Sequence, residues 1–342
     1  MGPIRFHHLA AAATALAFAV VVLGAFVRLS DAGLGCPDWP GCYGQVGVPE
    51  SATGVAGDYT RPLEPAKAWK EMIHRYFAGT LGLLIAGLGL WGWRRRDRGE
   101  PVGLPLFLVA LVVFQALLGM WTVTWLLKPL VVTAHLLGGM ATLALLAWLT
   151  LRRSDWLRAQ ARPPTRWARW ALVALLVVVA QVALGGWTSA NYAALACPDF
   201  PACYQGQWWP ATDFGEAFTL WHGLGINYEG GVLTHPARTA IHLTHRIGAV
   251  ITLVVVGAVA VGLWRAGTPR VRRLAGVVGG LLLIQVAFGI ANVVFGLPLW
   301  VAVAHNAGAA ALVLALVTLN HTLRSGPATA AARPGHDGME SA

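Results

Sequence analysis

Eight long apolar runs separated by short polar stretches fill most of the chain: Leu9–Val27, Tyr76–Trp93, Val102–Leu127, Pro129–Leu151, Trp170–Trp187, Ile247–Trp264, Leu274–Leu297 and Leu299–Leu319. Each is close to the roughly 20 residues that cross a bilayer core as a helix. Only Lys128-Pro129 divides the third run from the fourth. As one helix the two would be about twice a bilayer's width, so the pattern predicts a tight turn there. The fold class expected is an all-α membrane protein with eight transmembrane helices.

Composition sharpens this reading. Of 342 residues, 56% are hydrophobic and only 12% charged, about half the roughly 25% charged share of a soluble globular chain. That excludes an ordinary cytosolic enzyme and a disordered chain. The net charge of +10 follows from where the arginines fall. Arg94, Arg95, Arg96 and Arg98 follow the second run; Arg152, Arg153, Arg158, Arg162, Arg166 and Arg169 follow the fourth; Arg265, Arg270, Arg272 and Arg273 follow the sixth. Arg5 and Arg324 place both termini on that same side. Basic connections stay in the cytoplasm, so both ends are expected there, in a multi-pass protein of the cell membrane. The intervening loops carry most carboxylates, including Asp38, Glu71, Asp199 and Glu229, and are expected on the outer face. The positive charge thus reports topology, and nucleic-acid binding is not needed to explain it. A signal peptide is the alternative reading of the first run, which however exceeds the usual 7–15-residue apolar region of such leaders.

An internal repeat also argues against a disposable leader. Leu23-Gly24, Leu34, Cys36-Pro37-Asp38, Pro40 and Cys42-Tyr43 recur as Leu184-Gly185, Leu195, Cys197-Pro198-Asp199, Pro201 and Cys203-Tyr204, all at an offset of 161. His74-Arg75 recurs as His245-Arg246 at 171, and Gln115, Gly119 and Ala134-His135 recur as Gln285, Gly289 and Ala304-His305 at 170. Two four-helix halves are therefore expected, residues 1–155 and 168–324, joined by a basic cytoplasmic linker at 156–167 and followed by a flexible tail at 325–342. Because four is even, both halves face the same way, as a parallel repeat.

Four of eleven histidines belong to this repeat: His74, His135, His245 and His305. Alternate spans enter from one face, so His74 meets His135 and His245 meets His305 at one depth, near the outer surface. Ionisable groups inside spans mark functional sites, and paired imidazoles across a four-helix bundle hold a haem iron from both sides. Interfacial hydrogen-bonding histidines are the bland alternative. Zinc fits less well, since it wants at least three protein ligands and each half offers two. His7, His8, His222, His235, His321 and His336 lie in loops, tails or at a helix end, where solvation is the default.

Glu71 stands three residues before His74, on the same helical face, and its counterpart in the second half is His242. Only the first half thus has a carboxylate beside its histidines. Such a group acts as a general base or stabilises developing positive charge; otherwise it is a helix N-terminal carboxylate favoured by the dipole. Arg75 and Arg246 follow the candidate ligands directly, and either pair with carboxylates such as haem propionates or anchor the helix at the interface. Cys36 and Cys42 share one outer loop and Cys197 and Cys203 the other, on the oxidising side. Short spacing favours the pairs Cys36–Cys42 and Cys197–Cys203. They are loop staples, or, for the first pair, a redox-active group.

Together these residues resemble the haem A synthases of cytochrome oxidase assembly. Arg28-Leu29-Ser30, Gly33-Leu34-Gly35-Cys36-Pro37-Asp38-Trp39-Pro40, Glu71-x-x-His74-Arg75 and His135 before Gly138-Gly139 carry the likeness in the first half. Leu184-Gly185-Gly186-Trp187-Thr188, Cys197-Pro198-Asp199, His245-Arg246 and His305-Asn306 carry it in the second. The resemblance implies an oxidoreductase that oxidises a methyl group of haem O to the formyl group of haem A by successive hydroxylations. It implies a resident haem b on His245 and His305, substrate haem on His74 and His135, and Glu71 at the reacting edge. The partners implied are haem O, membrane lipid, a haem O synthase as supplier and an electron acceptor that the sequence does not identify.

Two other functions are compatible with parts of this pattern. A bis-haem electron-transfer cytochrome needs the four histidines but has no use for a one-sided Glu71. A parallel-repeat transporter would carry more polar residues within its spans. One irregularity concerns the turns: Pro129 precedes His135 by six residues, whereas Pro298 precedes His305 by seven.

Overall fold

The computed structural model describes residues 6–51, 59, 61–153 and 165–324. Arg5, linker residues 156–164 and the tail 325–342 lie outside the described residues. Among the described residues the regular elements are α-helices: α1 (Phe6–Leu29), α2 (Pro65–Arg94), α3 (Gly103–Thr124), α4 (Pro129–Arg153), α5 (Thr165–Ala190), the short α6 (Phe214–Ala217), α7 (His235–Ala266), α8 (Pro269–Val294) and α9 (Leu299–Arg324). All but α6 are long and apolar enough to cross a membrane. Helix α5 begins at Thr165, so the last residues expected in the linker are already helical.

Two helices are longer than their apolar runs. Helix α2 starts at Pro65, not Tyr76, and spans 30 residues; α7 starts at His235, not Ile247, and spans 32. Each opens with a proline in its first turn, where the missing N–H costs nothing and φ is already helical. Roughly ten residues therefore project past the length a bilayer core requires. The apolar pattern stops at the first charges, Arg75 and Arg246, but nothing there breaks a helix. Glu71, His74, His242 and His245 consequently lie inside helices, several residues beyond the N-terminal caps.

The expected turn at Lys128-Pro129 is present. Leu126 and Leu127 take left-handed conformations (φ 49° and 61°), as Gly296 and Leu297 do between α8 and α9 (67° and 62°). Leu127 N–H donates to Thr122 O and Leu297 N–H to Asn292 O, so the two turns share one geometry. Lys128 corresponds in place to Pro298, and the two prolines are not equivalent positions, which accounts for the unequal spacing to the histidines.

Helices α1 to α4 close a ring in which each touches its neighbours, α1 on α2, α2 on α3, α3 on α4 and α4 on α1. Helices α5, α7, α8 and α9 close a second ring in the same order. The rings meet where α4 and α9 touch, flanked by α1 on α9 and α4 on α5. Lipid tails are as apolar as leucine, so close packing of small residues holds such helices together. Ala10, Ala13 and Ala17 of α1 are fully buried against Leu81, Ile85 and Leu143. A Cβ at Gly186 of α5 would lie 2.9 Å from Leu136 and 3.3 Å from Thr133 of α4. Across the same seam Arg28 donates to Ser189 O (2.8 Å) and lies 4.4 Å from the Tyr192 ring centroid.

At the cysteine-loop end, residues 218–232 cross from the second ring onto the first. Tyr228 N–H donates to Leu126 O (3.0 Å). Lys128 Nζ donates to Gly223 O (2.6 Å) and stands 2.9 Å from the Trp221 ring centroid. Arg61 pairs with Glu229, and its hydrogen bond holds the Glu229 carboxyl below the usual carboxylate range. Lys128 is buried, and burial lowers the affinity of its amine for a proton. A hydrogen bond from a charged donor is worth about 1.5–3 kcal/mol. Lys128→Met keeps the chain length and is expected to cost about 2 kcal/mol, seen as faster proteolysis within 218–232 and earlier thermal unfolding in micelles. Unchanged cleavage would show that Lys128 does not hold this strap.

Candidate functional site

The four repeated histidines lie on α2, α4, α7 and α9. In each ring those are the helices across the diagonal, so His74 faces His135 and His245 faces His305 within electrostatic reach. Each ring packs on a glycine of the adjacent helix. A methyl group on Gly24 would sit 3.1 Å from His74 Cε1, on Gly119 3.5 Å from His135 Cε1, on Gly185 3.3 Å from His245 Cε1, and on Gly289 3.4 Å from His305 Cε1. Any larger residue would occupy the space into which the imidazoles turn. The Nδ1 atoms of His74, His135 and His305 are buried without a hydrogen-bond partner, although the four residues as a whole are half-buried.

Among the described residues no group of three or more His, Cys, Asp or Glu is placed to hold a metal ion. A protein-only metal centre is therefore not built here. A flat tetrapyrrole brings four in-plane nitrogens to its iron and asks the protein for two axial ligands. Two diagonal imidazoles on glycine floors fit that demand in each ring.

Above each histidine pair sits a cysteine loop, closed by the disulfides Cys36–Cys42 and Cys197–Cys203. Glu71 is buried and its Oε2 accepts from Cys36 N–H (3.0 Å), while Oε1 accepts from Arg75 Nη2 (2.6 Å). Arg75 Nη1 also donates to the carbonyls of Asp38 (3.0 Å), Pro40 and Gly41. In the second half His242 takes the place of Glu71, its Nδ1 3.4 Å from Cys197 N and 3.0 Å from Ala193 O. Arg246 donates to the carbonyls of Cys197 (2.9 Å), Asp199 (2.7 Å) and Ala202 (2.9 Å). Both guanidinium groups thus bolt a loop onto a helix, and for Arg75 the carboxylate partner is Glu71 of this chain. A haem propionate would have to displace those bonds.

Residues 7–317 match the sequence profile of the COX15-CtaA family, described as cytochrome oxidase assembly protein. The chain belongs to this family. A protein named heme A synthase from Shewanella oneidensis is 47% identical over 311 residues, covering 89% of this chain and 92% of its own length. Another of that name from Rhizorhabdus wittichii is 27% identical over 337 residues, covering 90% and 91%. A third, from Shouchella clausii, is 31% identical over 199 residues, covering 56% and 61%.

Within this COX15-CtaA member His74 lies within electrostatic reach of His135 and His245 of His305, and each cysteine loop is closed by its own disulfide. Other contacts escaped sequence reasoning. One is His242, whose Nδ1 lies against both the Cys197 amide and the Ala193 carbonyl, a place visible only once its alignment with Glu71 is joined to a contact 45 residues away. The glycine floors were signalled, since Gly24 recurs as Gly185 and Gly119 as Gly289, but spacing alone does not say what a glycine makes room for. The turn after the second cysteine is one residue longer in the second half: Cys42 N–H donates to Gln45 O, whereas Cys203 N–H donates to Gln207 O.

Proposed function

We propose that this chain is a haem A synthase, an integral membrane oxidoreductase converting a methyl group of haem O to the formyl group of haem A by successive hydroxylations. The reading is supported by the relatives bearing that name, and one observation carries it. Two alike histidine-and-glycine frames stand side by side, and among the described residues only the first has a buried carboxylate, Glu71, where the second has His242. A protein that merely passed electrons would not need that difference.

In this reading His245 and His305 hold a resident haem b, which supplies one-electron redox chemistry when bound. His74 and His135 hold the substrate haem and fix its orientation relative to Glu71. Each Glu71 oxygen keeps lone-pair capacity beyond its bond to Arg75 or Cys36. The carboxylate can therefore take a proton released from the substrate and stabilise positive charge building on its periphery. Arg75 and Arg246 act through the loops, which they press over the histidine ends and so keep water out. The halves form a parallel repeat, 1–155 and 168–324, with both termini cytoplasmic and the cysteine loops outside the cell membrane. Haem O, delivered by its synthase, enters from the lipid, and an electron acceptor completes the partners.

The test is extraction of porphyrins from the purified protein after co-expression with a haem O supply. Haem A together with haem b is the expected result. Haem b alone, with haem O unconsumed, would overturn the synthase reading in favour of an electron-transfer cytochrome.

A further inference from the structure

Propionate carboxylates are the charged edge of a haem, yet Arg75 and Arg246, the cations next to the histidines in sequence, are already bonded to the cysteine loops. The other cations at that end of the molecule are mostly partnered too. Arg61 pairs with Glu229 and Lys67 with Glu64, Lys128 donates to Gly223 O, and Lys70 stands 5.3 Å from the Phe26 ring centroid. Two arginines are left. Among the described residues, Arg28 and Arg238 are the arginines whose Nε is buried without a hydrogen-bond partner, and neither has a carboxylate within ion-pair distance.

Both stand on the cysteine-loop side of His245. Arg238 precedes it on α7 by seven residues, two turns, so the two side chains leave the helix on nearly the same face, about 10 Å apart along its axis. Arg28 comes from the other half. Its Nη2 donates to Ser189 O (2.8 Å) and its Nη1 to Tyr192 OH (3.2 Å), with the guanidinium carbon 4.4 Å from the Tyr192 ring centroid. Ser189 lies one turn beyond Gly185 on α5, the glycine packed on His245 Cε1, and α5 packs along α7. The first histidine pair has no such arginines. At the repeat offsets Arg28 corresponds to Ser189 and Arg238 to Lys67, whose ammonium is already paired with Glu64. A guanidinium fork matches a carboxylate bidentately, and charges near a membrane are held by pairing.

We propose that Arg28 and Arg238 receive the two propionates of the haem held by His245 and His305, so that a side chain of the first half completes the haem site of the second. The inference rests on the haem A synthase reading for the presence of that haem, and adds which residues hold its charged edge. The same charges act on the iron. A cation beside a haem favours the reduced, less positive state and so raises its potential. The resident haem thus belongs to the half that both guanidinium groups serve.

The test compares haem b with its dimethyl ester, which has the same ring and iron but no carboxylate charge. Both are titrated into full-length His74→Ala protein made in haem-starved cells, so that only the second histidine pair takes up the probe. Haem b is expected to bind about 100-fold tighter than the ester, roughly tenfold for each arginine. Arg28→Gln and Arg238→Gln should each cut that preference about tenfold, by weakening haem b and leaving the ester nearly unchanged. Arg28→Lys, which keeps the charge but loses the fork, should restore part of it. In the otherwise native chain, the midpoint potential of the resident haem should fall in both glutamine variants. An Arg28 that only pins the halves together would weaken haem b and ester alike when replaced. A preference unmoved by either glutamine variant, or an ester bound as tightly as haem b before any arginine is changed, overturns the proposal and leaves the synthase reading standing. Protein that takes up no haem at its second pair overturns both. Where Arg28→Gln does not fold, the ester preference and Arg238→Gln decide.

Discussion

His245→Ala and His305→Ala proteins are each expected to purify without the resident low-spin haem, whereas His74→Ala and His135→Ala proteins keep it and make no haem A. The rings concerned lie diagonally across the second bundle on Gly185 and Gly289, and among the described residues no cluster offers a substitute metal site. Even the loss of a group behind a ligand costs 10–100-fold in affinity, so loss of the ligand itself should cost at least about 100-fold. The measurement is the reduced-minus-oxidised spectrum together with extracted porphyrin per protein. Equal haem loss from all four variants would remove the division of labour between the halves.

Glu71→Gln is the second large effect. Glutamine keeps the size of the side chain and an oxygen for the Cys36 amide, but removes the charge paired with Arg75. Arg75 retains its loop carbonyls, so the loop should stay in place. A positioned general base is worth about 10²–10⁴-fold, or roughly 2.7–5.4 kcal/mol of barrier. Haem A yield is expected to fall within that range, with the hydroxymethyl intermediate accumulating while both haem spectra stay low-spin. Glu71→Ala is a different experiment: it strips Arg75 of its carboxylate, and breaking a buried pair in this way costs about 3–5 kcal/mol. A Glu71→Gln protein with near-normal yield would leave Glu71 only its loop-anchoring bonds.

The helix count was legible because lipid imposes it: every crossing must be apolar for about 20 residues, and hydropathy reads that directly. The ends of α2 and α7 were not, since a helix continues through Lys67, Lys70, Glu71 and Arg75 as readily as through leucine, and hydropathy cannot tell a solvated helix from a loop. The histidine pairs were legible because they recur. The partners of Glu71 and Arg75 were not, because the Cys36 amide is 35 residues away and any carboxylate or carbonyl satisfies an arginine on paper.

The strap over the first bundle sets an order of events during synthesis. Lys128 is made 95 residues before Gly223, the carbonyl it donates to. At about 5–20 residues per second, that interval is roughly 5–20 seconds. For that time α1 to α4 stand in the bilayer with a charged amine at the turn between α3 and α4 and no partner for it. Arg61 likewise waits for Glu229. The bundle translated first is therefore left open until the loop of the second arrives to close it.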